Sequence, residues 1–335
     1  MRSIHNPPKM TTLDQIKAPV AEYVDSFHQQ YEQVLLSKSE WLQQAVEHLR
    51  SSTGKMVRPI MTTLMAGLVR ESLPAKTISA AVLLELIHTA TLIHDDVIDE
   101  ASTRRGRPTL NALFDNRIAV LMGDFVLASA LIGAIGIGDL RVVAIVSAIG
   151  RELTEGEIRQ FETAEHAVLD ERIYMEVIRQ KTAALFRSCA EIAVVTTDGS
   201  DEDLERLGEC AELLGLAFQI RDDVFDYYPQ DIGKPTGNDL REGKVTLPLL
   251  YVLTRETEPS AEVRQCLEWL HSRSYGPREI EQMIALAQER GGIDYAYQRM
   301  HELIDRAKEL LLHYPDTPYR RALMSLSDYI LERKV

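Results

Sequence analysis

PAKTISAAVLLELIHTATLIHDDVID, residues 74–99, decides how this chain folds. Its apolar residues recur at intervals of three and four, and the proline that opens it suits the first turn of a helix, where no amide hydrogen is needed. The stretch ends in a conflict. On a helix Asp95 and Asp99 stand at i and i+4, and Asp96 and Asp99 at i and i+3, so three carboxylates share a face and repel one another unless something neutralises them. QIRDDVFD at 219–226 repeats the pattern with Asp222, Asp223 and Asp226 behind a second apolar run. The framework common to LIHDDVID and QIRDDVFD hints at an internal duplication that places the two clusters symmetrically.

The same periodicity extends through most of the chain. None of the 13 prolines lies between Thr109 and Tyr228, and apolar residues in that interval recur at three and four instead of alternating. Asp170 is the expected N-cap of ERIYMEVIRQKTAALFRSCAEIAVV, and Ser200 that of DEDLERLGECAELLGLAFQIRDDVFDYY. No stretch alternates as a strand would. The expectation is an all-α fold, one domain spanning residues 1–335, with roughly ten or more helices around a central cavity. Residues 227–244, with two prolines and three glycines, are expected to form a mobile loop.

Composition narrows the function. With 45% hydrophobic residues in 335, the chain can bury a substantial core. Cys189, Cys210 and Cys266 are few, odd in number and far apart, which indicates neither a disulfide framework nor a zinc site and fits a reducing cytoplasm. FVLASALIGAIGIG at 125–138 is shorter than the ~20 residues of a bilayer span, and the first residues lack the apolar core of a signal peptide. A net charge of −14 argues against nucleic acid as a partner.

A solvated acidic face is the plain alternative for either cluster alone. Two clusters, each ending a long apolar helix and each flanked by cations, point instead to magnesium, which takes oxygen ligands and uses one or two carboxylates alongside water or phosphate. Neither cluster has the glycine-containing loop and distal glutamate of an EF-hand. The cations are Lys55 and Arg58 in GKMVRP, Arg104 and Arg105 in STRRGRP, Lys181 beside Thr182 in IRQKTAALF, and Lys234 and Lys244 in the 227–244 segment. Arginine forks suit phosphate oxygens. Each of these side chains also has an ordinary reading as a helix-start, loop or snorkelling residue. Together they describe a site for two polyphosphates, one held through metal and one held directly by basic side chains.

Several of these motifs in order, GKMVRP, LIHTATLIHDDVIDEASTRRGRPT, MGDF at 122–125, GEIRQ at 156–160, KTAALF at 181–186, GLAFQIRDDVFD and GKPTGNDLREGKVTLPLL, resemble those of the trans-type polyprenyl diphosphate synthases, closest to the octaprenyl type. The resemblance covers some 200 residues ending at Leu250 and rests on continuity elsewhere. It implies an all-α homodimer of the isoprenoid synthase type that joins an allylic prenyl diphosphate to isopentenyl diphosphate, with several magnesium ions per site. It implies contact with membranes only through the lipid product. By resemblance Asp95, Asp99 and Asp222 ligate metal, and Asp96, Asp223 and Asp226 complete or orient the shell. Arg104, Lys181, Lys234 and Lys244 would grip the allylic diphosphate, with Thr182 and Gln219 turning oxygen dipoles to the cationic carbon. Lys55, Arg58, His88 and Arg105 would hold isopentenyl diphosphate, and His94 would be structural. A histidine on an apolar helix such as His88 is otherwise an ordinary core residue.

Two rivals stand beside this reading. A class I terpene cyclase shares the aspartates but needs no metal-free diphosphate site, against which GKMVRP and Arg105 speak. A catalytically silent partner subunit of a heteromeric synthase is the other; such subunits often lose aspartates from one cluster, and all six are present here. In the family, aromatics four and five positions before the first aspartate close the hydrocarbon tunnel; here these are Thr91 and Ala90. Five residues are about 7.5 Å of helix, so the tail is expected to pass this level and stop deeper, at Ile87, Leu83 or a residue of the 125–138 helix such as Phe125. Ala90→Phe is expected to shorten the products, read by chromatography; an unchanged length would show that the chain runs elsewhere.

Overall fold

A computed structural model describes residues 12–51, 56–229 and 236–332. These are almost wholly helical, as the periodicity requires. Helices Ala21–Val34, Glu40–Ser51 and Val57–Val69 lead into the first acidic helix, Ala75–Ile98. An outer helix, Asn116–Ile137, and helix Leu140–Glu165 follow, then the segment Glu171–Thr196, then the second acidic helix, Asp201–Phe225. Shorter helices from Leu247 onward end in Gly292–Leu311 and Pro318–Glu332.

The helix boundaries follow local chemistry. Pro74 proves to be the N-cap itself, one place before the first helical turn. Asp170 accepts the Arg172 N–H at 2.8 Å, and Ser200 forms a reciprocal capping box with Asp203. Asp115 and Asp139 cap the outer helix and its successor, and Gly138, at φ 75°, ends the outer helix in the left-handed region that favours glycine. These caps divide the proline-free interval into separate rods.

The first acidic helix is nearly enclosed: Leu84, Leu86 and Ile87 are buried, each worth about 1.5–3 kcal/mol. It belongs to a large apolar cluster with Ile60, Leu64, Phe186 and Leu214. A second cluster gathers the C-terminal helices around Ile220, Val224, Leu249 and Met283, and Leu303 and Leu331 pack against both.

Glycines set the closest approaches. A Cβ on Gly123 of the outer helix would lie 2.2 Å from His94 Nε2, and one on Gly133 would lie 2.5 Å from Leu83 Cδ2. Both side chains occupy space that any larger residue would take. Segment Glu171–Thr196 is not one uniform helix, because residues Arg179–Ala183 form a π turn. Gly156 and Gly215, from the helices on either side, abut that turn, with Cβ positions 2.8 Å from the Lys181 backbone N and 2.7 Å from Ala183 Cα.

Three expectations are corrected. Thr103–Arg104 and Arg107–Pro108 pair as a small antiparallel hairpin, too short to show alternation in sequence. Its two-residue turn holds Arg105 and Gly106 at φ 52° and 74°, the twist a tight hairpin demands. Of the segment 227–244, residues 230–235 lie outside the described ones, and Asn238–Arg241 is helical, because the Asp226 carboxylate accepts the N–H groups of Asn238 and Asp239, each at 3.0 Å. The 125–138 tract is only part of a 22-residue apolar helix, which by length and composition alone is long enough to cross a membrane, as is Ala75–Ile98. The outer helix packs one face against the first acidic helix, with Gly123 against His94 and Gly133 against Leu83, and leaves Leu121, Ile132 and Ile135 exposed at 62%, 71% and 68%.

Candidate active site

Both aspartate clusters occupy helix C-termini, with Asp99 and Asp226 as the C-caps. Partial negative charge accumulates at that end of a helix, so the carboxylates oppose the macrodipole as well as one another. Burial pushes Asp95 up to about 6; Lys181 pulls the other way, while Glu157 and Asp99 push it further. Burial likewise raises Asp99 and Asp226. Asp223 is raised to about 6 by burial, against hydrogen bonds from Tyr174 and Gln219 and with the charges of Asp222 and Asp226 adding to the shift.

One open cavity, ≈ 750 Å³, lies against the first acidic helix and is lined by Glu85, His88, Asp96, Arg104, Arg105 and Arg107. Tyr31 of helix Ala21–Val34 and His48 of helix Glu40–Ser51 also line it. The left-handed backbone at Arg105 costs energy for a residue with a side chain, and the turn it makes brings that side chain to the cavity. Burial lowers His88 well below the usual imidazole range, and Arg58, Arg105 and Arg104 add to the effect. Arg58 lies 5.5 Å over the Phe186 ring. Among the described residues its Nε has no hydrogen-bond partner, and neither does the buried Glu85 Oε2.

A second cavity, ≈ 810 Å³, is lined by Gln160, Lys181, Thr182, Gln219, Asp223, Asp239 and Lys244 among others. A chain of hydrogen bonds runs along it. Thr182 Oγ1 donates to Gln219 Oε1 at 2.6 Å, Gln219 Nε2 to Asp223 Oδ1 at 2.7 Å, and the Tyr174 hydroxyl to Asp223 Oδ2 at 2.6 Å. The network fixes the Gln219 amide with its oxygen beside the Thr182 hydroxyl. Lys244 pairs with Glu242 at 2.5 Å.

Of the expected residues, His88, Asp96, Arg104 and Arg105 line the first chamber and Lys181, Thr182, Gln219, Asp223 and Lys244 the second, while Arg58, Asp95, Asp99, Asp222 and Asp226 line neither. Arg104, expected beside the lysines, lines the first cavity and donates from Nε to Asp96 at 2.8 Å, though Asp95 also feels its charge. Asp96 is 7% exposed and commits an oxygen to that bond; Asp223 commits both of its oxygens to Tyr174 and Gln219. Ala90 is buried, and the Thr91 hydroxyl donates to its own helix at His88 O. Lys55 and Lys234 lie outside the described residues. Glu85, Glu157, Gln160, Tyr174 and Asp239 were not singled out from sequence. Gln160 and Glu157 sit in the quoted GEIRQ motif, and Asp239 in the GNDLREGK stretch, but nothing in their spacing ties them to a distant lysine or carboxylate.

The donor set suits a hard divalent cation, being carboxylate oxygens raised by burial and mutual charge. Among the described residues no three such groups converge on one point. An ion held by one or two carboxylates and completed by phosphate and water does not require them to. Asp95, Asp99 and Asp222 would hold such ions.

Comparison with known proteins adds the following. The family model described as "Polyprenyl synthetase" matches residues 39–287. The chain is 36% identical over 321 residues to an all-trans-nonaprenyl-diphosphate synthase (geranyl-diphosphate specific) from Rhodobacter capsulatus, covering 95% of this chain and 97% of that one. It is 36% identical over 302 residues to the octaprenyl diphosphate synthase of Escherichia coli (strain K12), covering 89% and 92%. A crystal structure of polyprenyl synthase from Caulobacter crescentus CB15, complexed with calcium and isoprenyl diphosphate, superposes with a TM-score of 0.90 at 29% identity over 98% of this chain and 100% of that one.

Tyr174→Phe leaves the buried Asp223 carboxylate short of one hydrogen bond, a loss of about 1–3 kcal/mol. Urea unfolding of the metal-free protein is expected to show that loss, together with reduced turnover because Asp223, which anchors Gln219, is held by one bond fewer. Unchanged stability would mean that the tyrosine is dispensable to the network.

Proposed function

The chain belongs to the polyprenyl synthetase family, and from that premise we propose that it is a magnesium-dependent trans-prenyltransferase, extending an allylic prenyl diphosphate with isopentenyl diphosphate to products beyond fifteen carbons. The observation that carries this reading is the position of Asp95, within the electrostatic reach of Lys181 in one chamber and Arg104 in the other. A reaction that joins two diphosphate esters needs such a meeting point. The names of the matched relatives, nonaprenyl and octaprenyl synthases, support the longer products, as does the small pair Ala90 and Thr91. The calcium in the Caulobacter complex supports a divalent ion, and the all-oxygen donor set supports magnesium.

In this mechanism Lys181 and Lys244 neutralise the allylic diphosphate and hold its C–O bond toward the aspartates. Magnesium, when bound, supplies Lewis-acid stabilisation of the charge that develops on the departing diphosphate. As that bond breaks, the oxygens of Thr182 and Gln219 face the positive carbon. Arg58, Arg105 and His88 grip isopentenyl diphosphate, so that its double bond forms the new C–C bond. The proton then lost passes to the released diphosphate, and no side chain has to act as base.

Purified protein given farnesyl diphosphate, radiolabelled isopentenyl diphosphate and magnesium is expected to incorporate label into longer diphosphates identified by mass spectrometry. A cyclase incorporates none, and a silent subunit has no turnover alone. Asp95→Ala is expected to cost about 10²–10³ in turnover, the loss seen when one transition-state charge stabiliser is removed; near-normal turnover at saturating magnesium would refute the metal assignment.

The reading includes a cytoplasmic homodimer. The exposed apolar face of the outer helix, with Leu121, Ile132 and Ile135, is contiguous enough to need a cover, and a second copy offers the same surface in return. Light scattering is expected to give twice the 37.8 kDa chain mass. A monomer that floats with phospholipid vesicles would assign the face to lipid instead.

A further inference from the structure

The motif GEIRQ, residues 156–160, has no role in the chemistry above, yet it touches the lysine on which that chemistry draws. Gly156 presents no side chain to the π turn: a Cβ there would lie 2.8 Å from both Gln180 Cβ and the Lys181 backbone N. π turns insert a residue and swing the following side chains off the regular helical face, often at functional sites. This one carries Lys181 to the next turn of the GEIRQ helix. Lys181 Nζ lies 2.7 Å from a Glu157 carboxylate oxygen and 2.7 Å from Gln160 Oε1. Those two acceptors are three residues apart and therefore share a helix face. An ammonium has three donors. With two engaged, the third is directed by the first two.

A carboxylate beside a diphosphate pocket opposes anion binding by simple Coulomb repulsion, and Glu157 already pushes Asp95 upward. Such a cost is offset if the group aims a cation. A free lysine side chain samples many rotamers, a freedom that binding would otherwise have to remove. Resting on the reaction proposed above, we propose that Glu157 and Gln160 are positioning residues, holding the Lys181 ammonium across the π turn so that one N–H is presented to a phosphate oxygen of the allylic substrate.

Glu157→Ala removes the anchor and Glu157→Gln keeps an oxygen acceptor at Nζ. In steady-state assays the alanine variant is expected to raise KM for farnesyl diphosphate about tenfold, with KM for isopentenyl diphosphate and the melting temperature unchanged. The glutamine variant should return to within about threefold of the parent. Calorimetry with inorganic diphosphate and magnesium should show the same tenfold and threefold pattern, and it does not depend on turnover. A parent protein without turnover would therefore sink the reaction and leave the positioning to be judged by binding. Parent-like binding by Glu157→Ala would overturn the positioning role. So would a glutamine variant as impaired as alanine with a raised magnesium requirement, because Glu157 would then serve the metal.

Discussion

Charge repulsion at the C-terminal ends of two buried helices is the constraint on which this structure turns. Asp95 and Asp99 on one, and Asp222, Asp223 and Asp226 on the other, stand where the helix dipole is already negative. Burial makes the repulsion worse by withdrawing water, as the raised Asp95 and Asp223 show. Apolar packing along the preceding helices carries the cost: the first acidic helix is held by Leu84, Leu86, Ile87 and their neighbours, far more contact than a free helix would have. The result is a pair of anionic ends with a standing affinity for cations.

The cations answer in two ways. Arg104 closes on Asp96, and Lys181 stands between Glu157, Gln160 and the Asp95 charge. Asp223 is satisfied by neutral donors, Tyr174 and Gln219, so it orders the Thr182–Gln219 pair through hydrogen bonds. Asp226 takes two backbone N–H groups and so ties the Asn238–Arg241 turn, with Asp239 and Lys244 close by, to the rim of the second chamber. Asp226 and Asp223 thus act as structural anchors. Small residues make these distances possible. Gly156 and Gly215 admit the π turn between their helices, and a methyl on either would separate the lysine from its acceptors or Thr182 from Gln219.

What sequence alone determined is what depends on periodicity and on local hydrogen bonding. Helical character, the caps at Asp170 and Ser200, and the gathering of three carboxylates on one face all follow from spacing along a rod of 3.6 residues per turn. The motif resemblance allowed Lys181, Thr182 and Gln219 to be grouped before any coordinates. Tertiary structure alone decided the rest, because it depends on which rods touch. The hairpin at Arg105 is too short to leave a period, and the π turn is set by two glycines 59 residues apart in the chain. The assignment of Arg104 to the first chamber, the covering of that chamber by Tyr31 and His48, and the grip of Glu157 and Gln160 on Lys181 are contacts between distant segments. Residue spacing encodes the face a side chain occupies, and packing alone determines what that face meets.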